Sequence, residues 1–239
     1  MKIEEFEKIF LKELNRNNIN IDEKKISYFY EYMLGILEWN DKVNLTAITD
    51  EKMFIVKHFI DSLTVNKFLE GSKTVIDIGT GAGFPGIPLK ILNGNIKFTL
   101  IDSVNKKLNV IRDINNKLKL TNLEIIHTRA EDLANNGKYR EMYDIATTRA
   151  VSNLSTIVEY MLPFVRVNGI AICMKGPNYQ EELNEATKAI ECLGGKLEKI
   201  ETVKVDDELE RNLIIIKKIS KTPNKYPRGQ GKPLKDPIK

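Results

Sequence analysis

Apolar residues before Gly71 recur at helical spacing, and from Thr74 onward they gather into short β-rich runs. Ile3, Phe6, Ile9, Phe10 and Leu14 fall on one helical stripe, as do Ile26, Phe29, Tyr30, Met33 and Leu37. Asp22 is the expected N-cap of the second helix. Asp50 is the expected N-cap of a third over 51–69, which carries Phe54, Ile55, Phe59 and Leu63 on one side and is closed by Gly71. The β-rich runs cover 74–78, 96–102, 123–128, 143–147 and 169–175, with helical candidates over 86–92, 104–118 and 153–164 between them. Such alternation predicts β-α units on a parallel sheet with right-handed crossovers. An amphipathic helix over 180–193, stopped by Gly194 and Gly195, precedes two strand candidates, 196–205 and 212–219. These flank the acidic turn 206–208 and should pair as a hairpin. The chain therefore reads as α/β, with an N-terminal helical region over 1–70, a Rossmann-like body over 71–220 and a tail over 221–239. Four of the eight prolines fall in that tail without apolar periodicity, which predicts an extended segment outside the core.

Composition narrows the class. With 239 residues, 42% of them hydrophobic, the chain can bury a core without disulfide staples. No hydrophobic run exceeds the five residues Ile170 to Met174, so no membrane span is expected, and Glu4, Glu5 and Glu7 are unlike a signal peptide. Cys173 and Cys192 stand apart from each other and from any histidine cluster, which argues against a zinc site or a disulfide framework and for a reducing, cytoplasmic setting. The net charge of +4 becomes informative only when divided: Lys217 to Lys239 holds eight basic residues and one acid, a net of +7, which leaves −3 for residues 1–216.

Candidate chemistry centres on Val75-Ile76-Asp77-Ile78-Gly79-Thr80-Gly81-Ala82-Gly83-Phe84-Pro85-Gly86, an apolar strand running into a glycine-dense turn. Glycines serve there because the backbone takes special dihedrals and because a Cβ would keep a ligand off the main chain. Two registers compete. Gly81, Gly83 and Gly86 satisfy the dinucleotide fingerprint G-x-G-x-x-G, starting three residues after the strand and with Pro85 inside the turn. Gly79, Gly81 and Gly83 give G-x-G-x-G directly after the strand, which resembles the first motif of class I S-adenosylmethionine-dependent methyltransferases. Asp102, at the end of the second strand, can accept hydrogen bonds from ribose hydroxyls of either cofactor. Glu131 follows the third strand, Arg149 the fourth, and Lys175 ends the fifth. An arginine so placed can grip a carboxylate or a phosphate.

Several segments taken together resemble the RsmG family of small-subunit ribosomal RNA guanine-N7 methyltransferases, also called the glucose-inhibited division protein B family. They are Trp39-Asn40-Asp41-Lys42-Val43-Asn44-Leu45-Thr46, His58-Phe59-Ile60-Asp61-Ser62-Leu63, the turn through Pro88, Asp102-Ser103 with Lys106-Lys107, Arg129-Ala130-Glu131, Thr148-Arg149-Ala150-Val151, and Lys225-Tyr226-Pro227-Arg228 with Gly231, Pro233 and Pro237. They run in order along nearly the whole chain. The resemblance implies a seven-stranded class I methyltransferase fold. It also implies methyl transfer from S-adenosyl-L-methionine to N7 of one guanine of 16S ribosomal RNA, conventionally numbered 527. By the same pattern the cofactor would meet Gly79, Phe84, Ala130, Glu131 and Arg149, with no departure there, and Gly81 of the turn and Asp102 at the second strand end join them as cofactor candidates from the reading above.

Guanine N7 already carries a free lone pair, so no proton has to be removed before attack. No catalytic base and no metal are therefore assigned; catalysis should come from holding the methyl in line with N7, worth up to ~7–11 kcal/mol in favourable intramolecular cases. Cys173 lies inside a strand and reads as a small buried hydrophobe. His58 reads as a partner of Asp61 that fixes the helical region to the body, His127 as structural, and Trp39 with Tyr28, Tyr30 and Tyr32 as packing residues. Lys175 and Arg228 are the candidates for RNA contact, and the basic tail is expected to touch phosphates. The expected partner is 16S RNA or the small ribosomal subunit, with the enzyme a monomer. An NAD(P)-dependent oxidoreductase on the other glycine register, and a non-catalytic RNA-binding or ribosome-assembly module, are the competing readings.

Overall fold

A computed structural model describes residues 1–149 and 152–238. Ala150 and Val151 of the motif after the fourth strand, and Lys239 of the tail, lie outside the described residues. Strands β1 (Thr74–Ile78), β2 (Lys97–Asp102), β3 (Leu123–His127), β4 (Tyr143–Arg149), β5 (Val165–Lys175), β6 (Gly195–Lys204) and β7 (Glu210–Lys218) form one sheet in the order β3-β2-β1-β4-β5-β7-β6. β1 to β5 are parallel, and β7 runs antiparallel between β5 and β6. The expected hairpin is present, with Lys196 opposite Lys217 and Lys204 opposite Glu210. Strand order reverses between β1 and β4, and open α/β sheets bind ligands in the crevice at such a switch point.

Both sheet faces are covered, as the apolar strands require. Val75, Phe98 and Leu100 join one core with the N-terminal helices, while Ile76, Ile78 and Ile101 join the other. On the first face lie α1 (Ile3–Arg16) and α2 (Ile26–Asn40); of the predicted stripes Phe6, Phe10, Leu14, Ile26, Phe29 and Met33 are buried, Ile9, Tyr30 and Leu37 are half-buried and Ile3 is exposed, while Ile36, outside the predicted stripe, is buried. Asp22 caps the short 3₁₀ turn Glu23–Lys25 that leads into α2, accepting from Lys24 N. Asp50 caps α3 (Glu51–Phe54), accepting from Met53 N at 2.8 Å.

The helix expected over 51–69 is not one regular helix. After α3 the chain makes a π-helical segment, Ile55–Ile60, then α4 (Asp61–Leu63), and Asn66–Phe68 is a separate 3₁₀ turn. π segments widen the helix by one residue per turn and are frequent at functional sites. This one carries His58 and leads into Asp61.

Beyond β1 come α5 (Gly86–Leu92), α6 (Asn105–Leu118), the short α7 (Ala130–Leu133), α8 (Leu154–Met161) and α9 (Gln180–Cys192). β4 runs two residues past the predicted end and includes Arg149, opposite Met174. β5 starts at Val165, four residues before the predicted start. Cys173 is fully buried against Met161, and burial pushes its thiol up to about 12. Trp39 donates to Asp113 of α6, Tyr30 to the carbonyl of Met1, and Tyr32 to that of Ala82; Tyr28 is exposed. His127 is exposed at the end of β3, bonded to the Ser103 carbonyl.

The C-terminal segment departs most from expectation. It is docked rather than extended: Thr222, Pro227, Pro233 and Ile238 are buried, and Lys232–Lys235 forms the short helix α10. Arg140 donates to the carbonyls of Thr222 and Tyr226, and Thr156 donates to that of Pro233. Lys218, counted above among the basic tail residues, is buried and bonded to Glu141, Thr222 and two carbonyls.

Candidate active site

A cavity of about 560 Å³ opens at the carboxyl edge of β1, β2, β3 and β4, within the roughly 300–1,000 Å³ usual for small-molecule sites. Its walls come from the turn after β1, from Asp102 and Ser103, from Thr128 to Glu131 and from Arg149, with His58 on one side and Tyr160 and Leu234 on another.

The turn after β1 is held from below. Asp77 Oδ2 accepts from the Thr80 hydroxyl at 2.6 Å and from Gly86 N at 3.0 Å, so one carboxyl fixes both ends of the turn. Burial pushes Asp77 up to about 7, against those two hydrogen bonds. Above the turn, Asp102 Oδ2 accepts from Gly81 N at 2.8 Å and Oδ1 from Val104 N at 2.8 Å. Asp102 is thus a buried wall of the cavity whose remaining lone pairs can take hydroxyl donors.

The two glycine registers are separated by what faces the cavity. Gly79, Thr80, Gly81, Ala82 and Phe84 line it, whereas Gly83 and Gly86 do not. A Cβ on Gly81 would meet no atom within 4 Å, so this glycine, at φ +59°, leaves open space above the backbone. A Cβ on Gly83 would run into the Tyr32 hydroxyl and Ile87. The dinucleotide register would need Gly83 free for a pyrophosphate. It is covered by α2, so the geometry favours the register starting at Gly79.

Arg149 enters the cavity from β4 with its guanidinium pinned. It donates to Asp61 Oδ2 at 3.0 Å, to the Lys57 carbonyl at 3.1 Å and to His58 Nδ1 at 3.0 Å, and its Cζ lies 5.0 Å from the centre of the Phe84 ring. Asp61, fully buried, also accepts two hydrogen bonds from Arg211 of β7. His58 does not pair with Asp61. The π segment turns it onto Arg149 and Thr46, and it stacks on Phe84 at 4.5 Å and 10°. A guanidinium only donates, so Nδ1 accepts and the ring proton sits on Nε2, donating to Thr46. Burial, reinforced by the Arg149 charge, holds His58 down at about 3. It stays neutral at physiological pH, with both nitrogens engaged, and supplies no base.

Glu131, only 3% exposed, accepts from Gly231 N of the C-terminal segment at 3.2 Å. All seven residues assigned to the cofactor, Gly79, Gly81, Phe84, Asp102, Ala130, Glu131 and Arg149, line this one cavity. The two RNA candidates do not. Lys175 is buried, bonded to Glu182 at 2.7 Å and to the Ser152 carbonyl at 2.5 Å. Arg228 grips the fully buried Glu159 of α8 with Nε at 3.0 Å and Nη2 at 2.7 Å. Both cations are committed to internal partners and are not free for phosphate.

Arg211, Tyr160 and Leu234 are site components that sequence reasoning did not single out; Tyr32 and Asp61, read as a packing residue and as the partner of His58, instead hold the turn and Arg149. Asp61 carried a further signal as a carboxylate inside the apolar run Phe59-Ile60-Asp61-Ser62-Leu63. The fit to a nucleoside cofactor rests on the cradle above Gly81 and on two buried carboxylates, Asp102 and Glu131, facing the cavity.

Comparison with known proteins agrees with this geometry. Residues 25–214 match the family model GidB, rRNA small subunit methyltransferase G. The chain is 47% identical over 238 residues to the ribosomal RNA small subunit methyltransferase G of Clostridium botulinum (strain Loch Maree / Type A3), covering 98% of this chain and all of that protein. Its fold is similar to M. jannaschii TYW2 in complex with AdoMet, at TM-score 0.53 and 16% identity over 66% of this chain and 77% of that one. It is also similar to M. capricolum TrmK in complex with S-adenosyl-homocysteine, at TM-score 0.52 and 18% identity over 74% of each chain. The glycine register, the pinned arginine and the near full-length match converge: this chain belongs to the GidB family of rRNA small subunit methyltransferases G, enzymes built on the S-adenosylmethionine-dependent methyltransferase fold.

Proposed function

We propose that this chain, acting in the cytoplasm, methylates N7 of a guanine in small-subunit 16S ribosomal RNA, using S-adenosylmethionine. The observation that carries the reading is the cavity at the β1/β4 switch point, where the Gly79–Gly81 cradle, two buried carboxylates and a pinned arginine converge in a chain of this family. Gly79, Gly81, Phe84, Ala130 and Arg149 would hold the cofactor, with Asp102 and Glu131 accepting from its hydroxyl and amino groups. S-adenosylmethionine, when bound, supplies a methyl carbon on a sulfonium, so that the N7 lone pair forms the new bond, the S–CH₃ pair returns to sulfur and no proton has to move. The residues around the cavity suit that demand. His58 is neutral with both nitrogens used, and Asp77 is sealed beneath the turn. What the protein contributes is position: Arg149, Phe84 and His58 brace one another as one rigid wall.

Lys225, Lys232 and Lys235 are exposed on the docked segment, and Lys107 and Arg129 stand at the cavity mouth. This supports phosphate contact by the segment's lysines in place of Arg228 and Lys175. The test is incubation of the purified chain with S-adenosylmethionine and 16S RNA from a strain deleted for the family enzyme, followed by borohydride-aniline cleavage at N7-methylguanine. A new cleavage site is expected. RNA left uncleaved, with the chain shown to bind the cofactor, would overturn the substrate assignment.

A further inference from the structure

We infer that the C-terminal segment Tyr226–Asp236 is part of the cofactor site, with Leu234 as a cofactor-contacting residue and Gly231 as the group that positions Glu131. This rests on the reading that the cavity takes S-adenosylmethionine.

Leu234 is 62% exposed and lines the cavity. It is the segment's largest exposed apolar side chain, and it faces the space a ligand would fill rather than a core. The segment reaches that place by fixed anchors. The backbone N–H and guanidinium of Arg228 hold Glu159, and the Pro233 carbonyl accepts from Thr156 at 2.9 Å. Tyr160, on the same helix α8 as both anchors, lines the cavity itself, so helix, segment and cavity wall are one packed unit.

Gly231 supplies the second link. Its N–H donates to Glu131 Oε1, a buried carboxylate whose one ion-pair partner among the described residues is Arg129, at 3.8 Å. That bond fixes one oxygen of Glu131 and leaves the other available to a donor in the cavity. Gly231 takes φ +68°, a conformation glycine adopts without strain.

The chemistry that fits Leu234 is the flat apolar face of a purine, since covering an exposed leucine removes apolar surface from water. A bound adenosine would therefore favour the docked segment, and the docked segment would favour binding. The exposed Lys235 makes the linkage measurable, because trypsin cuts after a lysine that no proline follows where the backbone can open.

The experiment measures S-adenosylhomocysteine affinity by calorimetry for the full chain, for Leu234→Asp and for Leu234→Met, together with tryptic cleavage at Lys235 with and without S-adenosylhomocysteine. Leu234→Asp is expected to weaken binding about tenfold with an unchanged ligand-free Tm, because the side chain is outside the core. Leu234→Met should bind nearly as the parent does, and S-adenosylhomocysteine should slow cleavage at Lys235. Parent-like binding by Leu234→Asp, or cleavage indifferent to S-adenosylhomocysteine, would overturn the inference. Failure of the unmodified chain to bind would instead overturn the reading of the cavity, and this inference with it.

Discussion

The glycine turn after β1 and the C-terminal segment wall the same cavity with opposite construction. The turn is held by side chains close in sequence: Thr80 and Gly86 bond to Asp77, three and nine residues away, and Gly81 bonds to Asp102, twenty-one away. The C-terminal segment bonds to Glu159, Thr156 and Glu131, which are 69, 77 and 100 residues upstream. The turn depends on backbone dihedrals and close packing, so its weak points are glycines. The segment depends on charge neutralised inside the protein, and its weak point is one arginine.

The largest expected effect comes from breaking that clasp. Arg228→Ala would leave Glu159 fully buried without its counter-ion, and removal of one partner of a buried pair costs about 3–5 kcal/mol. Urea unfolding should show the loss, and Arg228→Lys should recover only part of it because a lysine cannot reproduce the two-pronged contact. A loss under about 1 kcal/mol would mean that the segment is held no better than by a surface ion pair.

Next comes the turn itself. Gly83→Ala adds a Cβ against the Tyr32 hydroxyl and 2.7 Å from Ile87 Cγ1, at φ +100°. Overpacking and the unfavourable dihedral together should cost about 2–4 kcal/mol by the same urea measurement. Gly81→Ala, at φ +59° with nothing within 4 Å, should lose less stability than Gly83→Ala yet more cofactor affinity, since its methyl enters the cavity. Equal losses in the two variants would dissolve the distinction between the glycine that packs and the glycine that leaves space.

The same contrast explains what could be read in advance. Strand and helix positions were legible because burial on two sheet faces imposes a period on the sequence, and the glycine turn because φ > 0 and close approach select glycine. The early start of β5 was hidden by Arg166 and Asn168, polar positions on a stretch whose other side is buried. The π segment was invisible because one extra residue per turn leaves the apolar content of Phe54 to Leu63 unchanged. The seven cofactor candidates meet because each ends or follows a strand, and parallel strands bring those ends to one edge. Lys175 also ends a strand, but Glu182 seven residues later claims it. The C-terminal segment had no period to display: prolines and glycines with scattered lysines look alike whether solvated or docked when their partners lie in other elements.

A smaller effect sharpens the electrostatics beneath the turn. Asp77 is raised to about 7 from an ordinary value near 3.8, so the folded chain holds a proton that the unfolded chain has released. Its contribution to stability is full below about pH 3.8 and is lost as pH rises through 7. Between pH 5 and pH 7 the parent should therefore lose about 2 kcal/mol relative to Asp77→Asn, which keeps an oxygen for Thr80 and Gly86 but cannot ionise. His58, depressed to about 3, acts with the opposite sign, adding stability as pH rises towards 6.5. It does so in both proteins, so it cancels in their difference. Parallel stability curves for parent and variant would show that Asp77 is ionised across the whole range.

The smallest change tests whether the turn is as self-contained as its local hydrogen bonds suggest. Tyr32 lies on α2, fifty residues before the turn, and its hydroxyl donates to the Ala82 carbonyl at 2.5 Å. The ring stacks on Phe59 at 5.8 Å and lies 5.5 Å from Phe84, the end of an aromatic cluster that reaches back through Phe10 and Phe6. Tyr32→Phe keeps the ring and removes only the donor, which should cost about 1 kcal/mol of stability. Because that carbonyl belongs to a cavity-lining residue, S-adenosylhomocysteine affinity should fall as well, by a few-fold. A stability loss with unchanged affinity would mean that Asp77 and Asp102 alone hold the turn in its binding conformation. A loss in both would mean that the N-terminal helices are part of the cofactor site through one buried hydroxyl, and that the turn shares with the C-terminal segment a dependence on a distant partner.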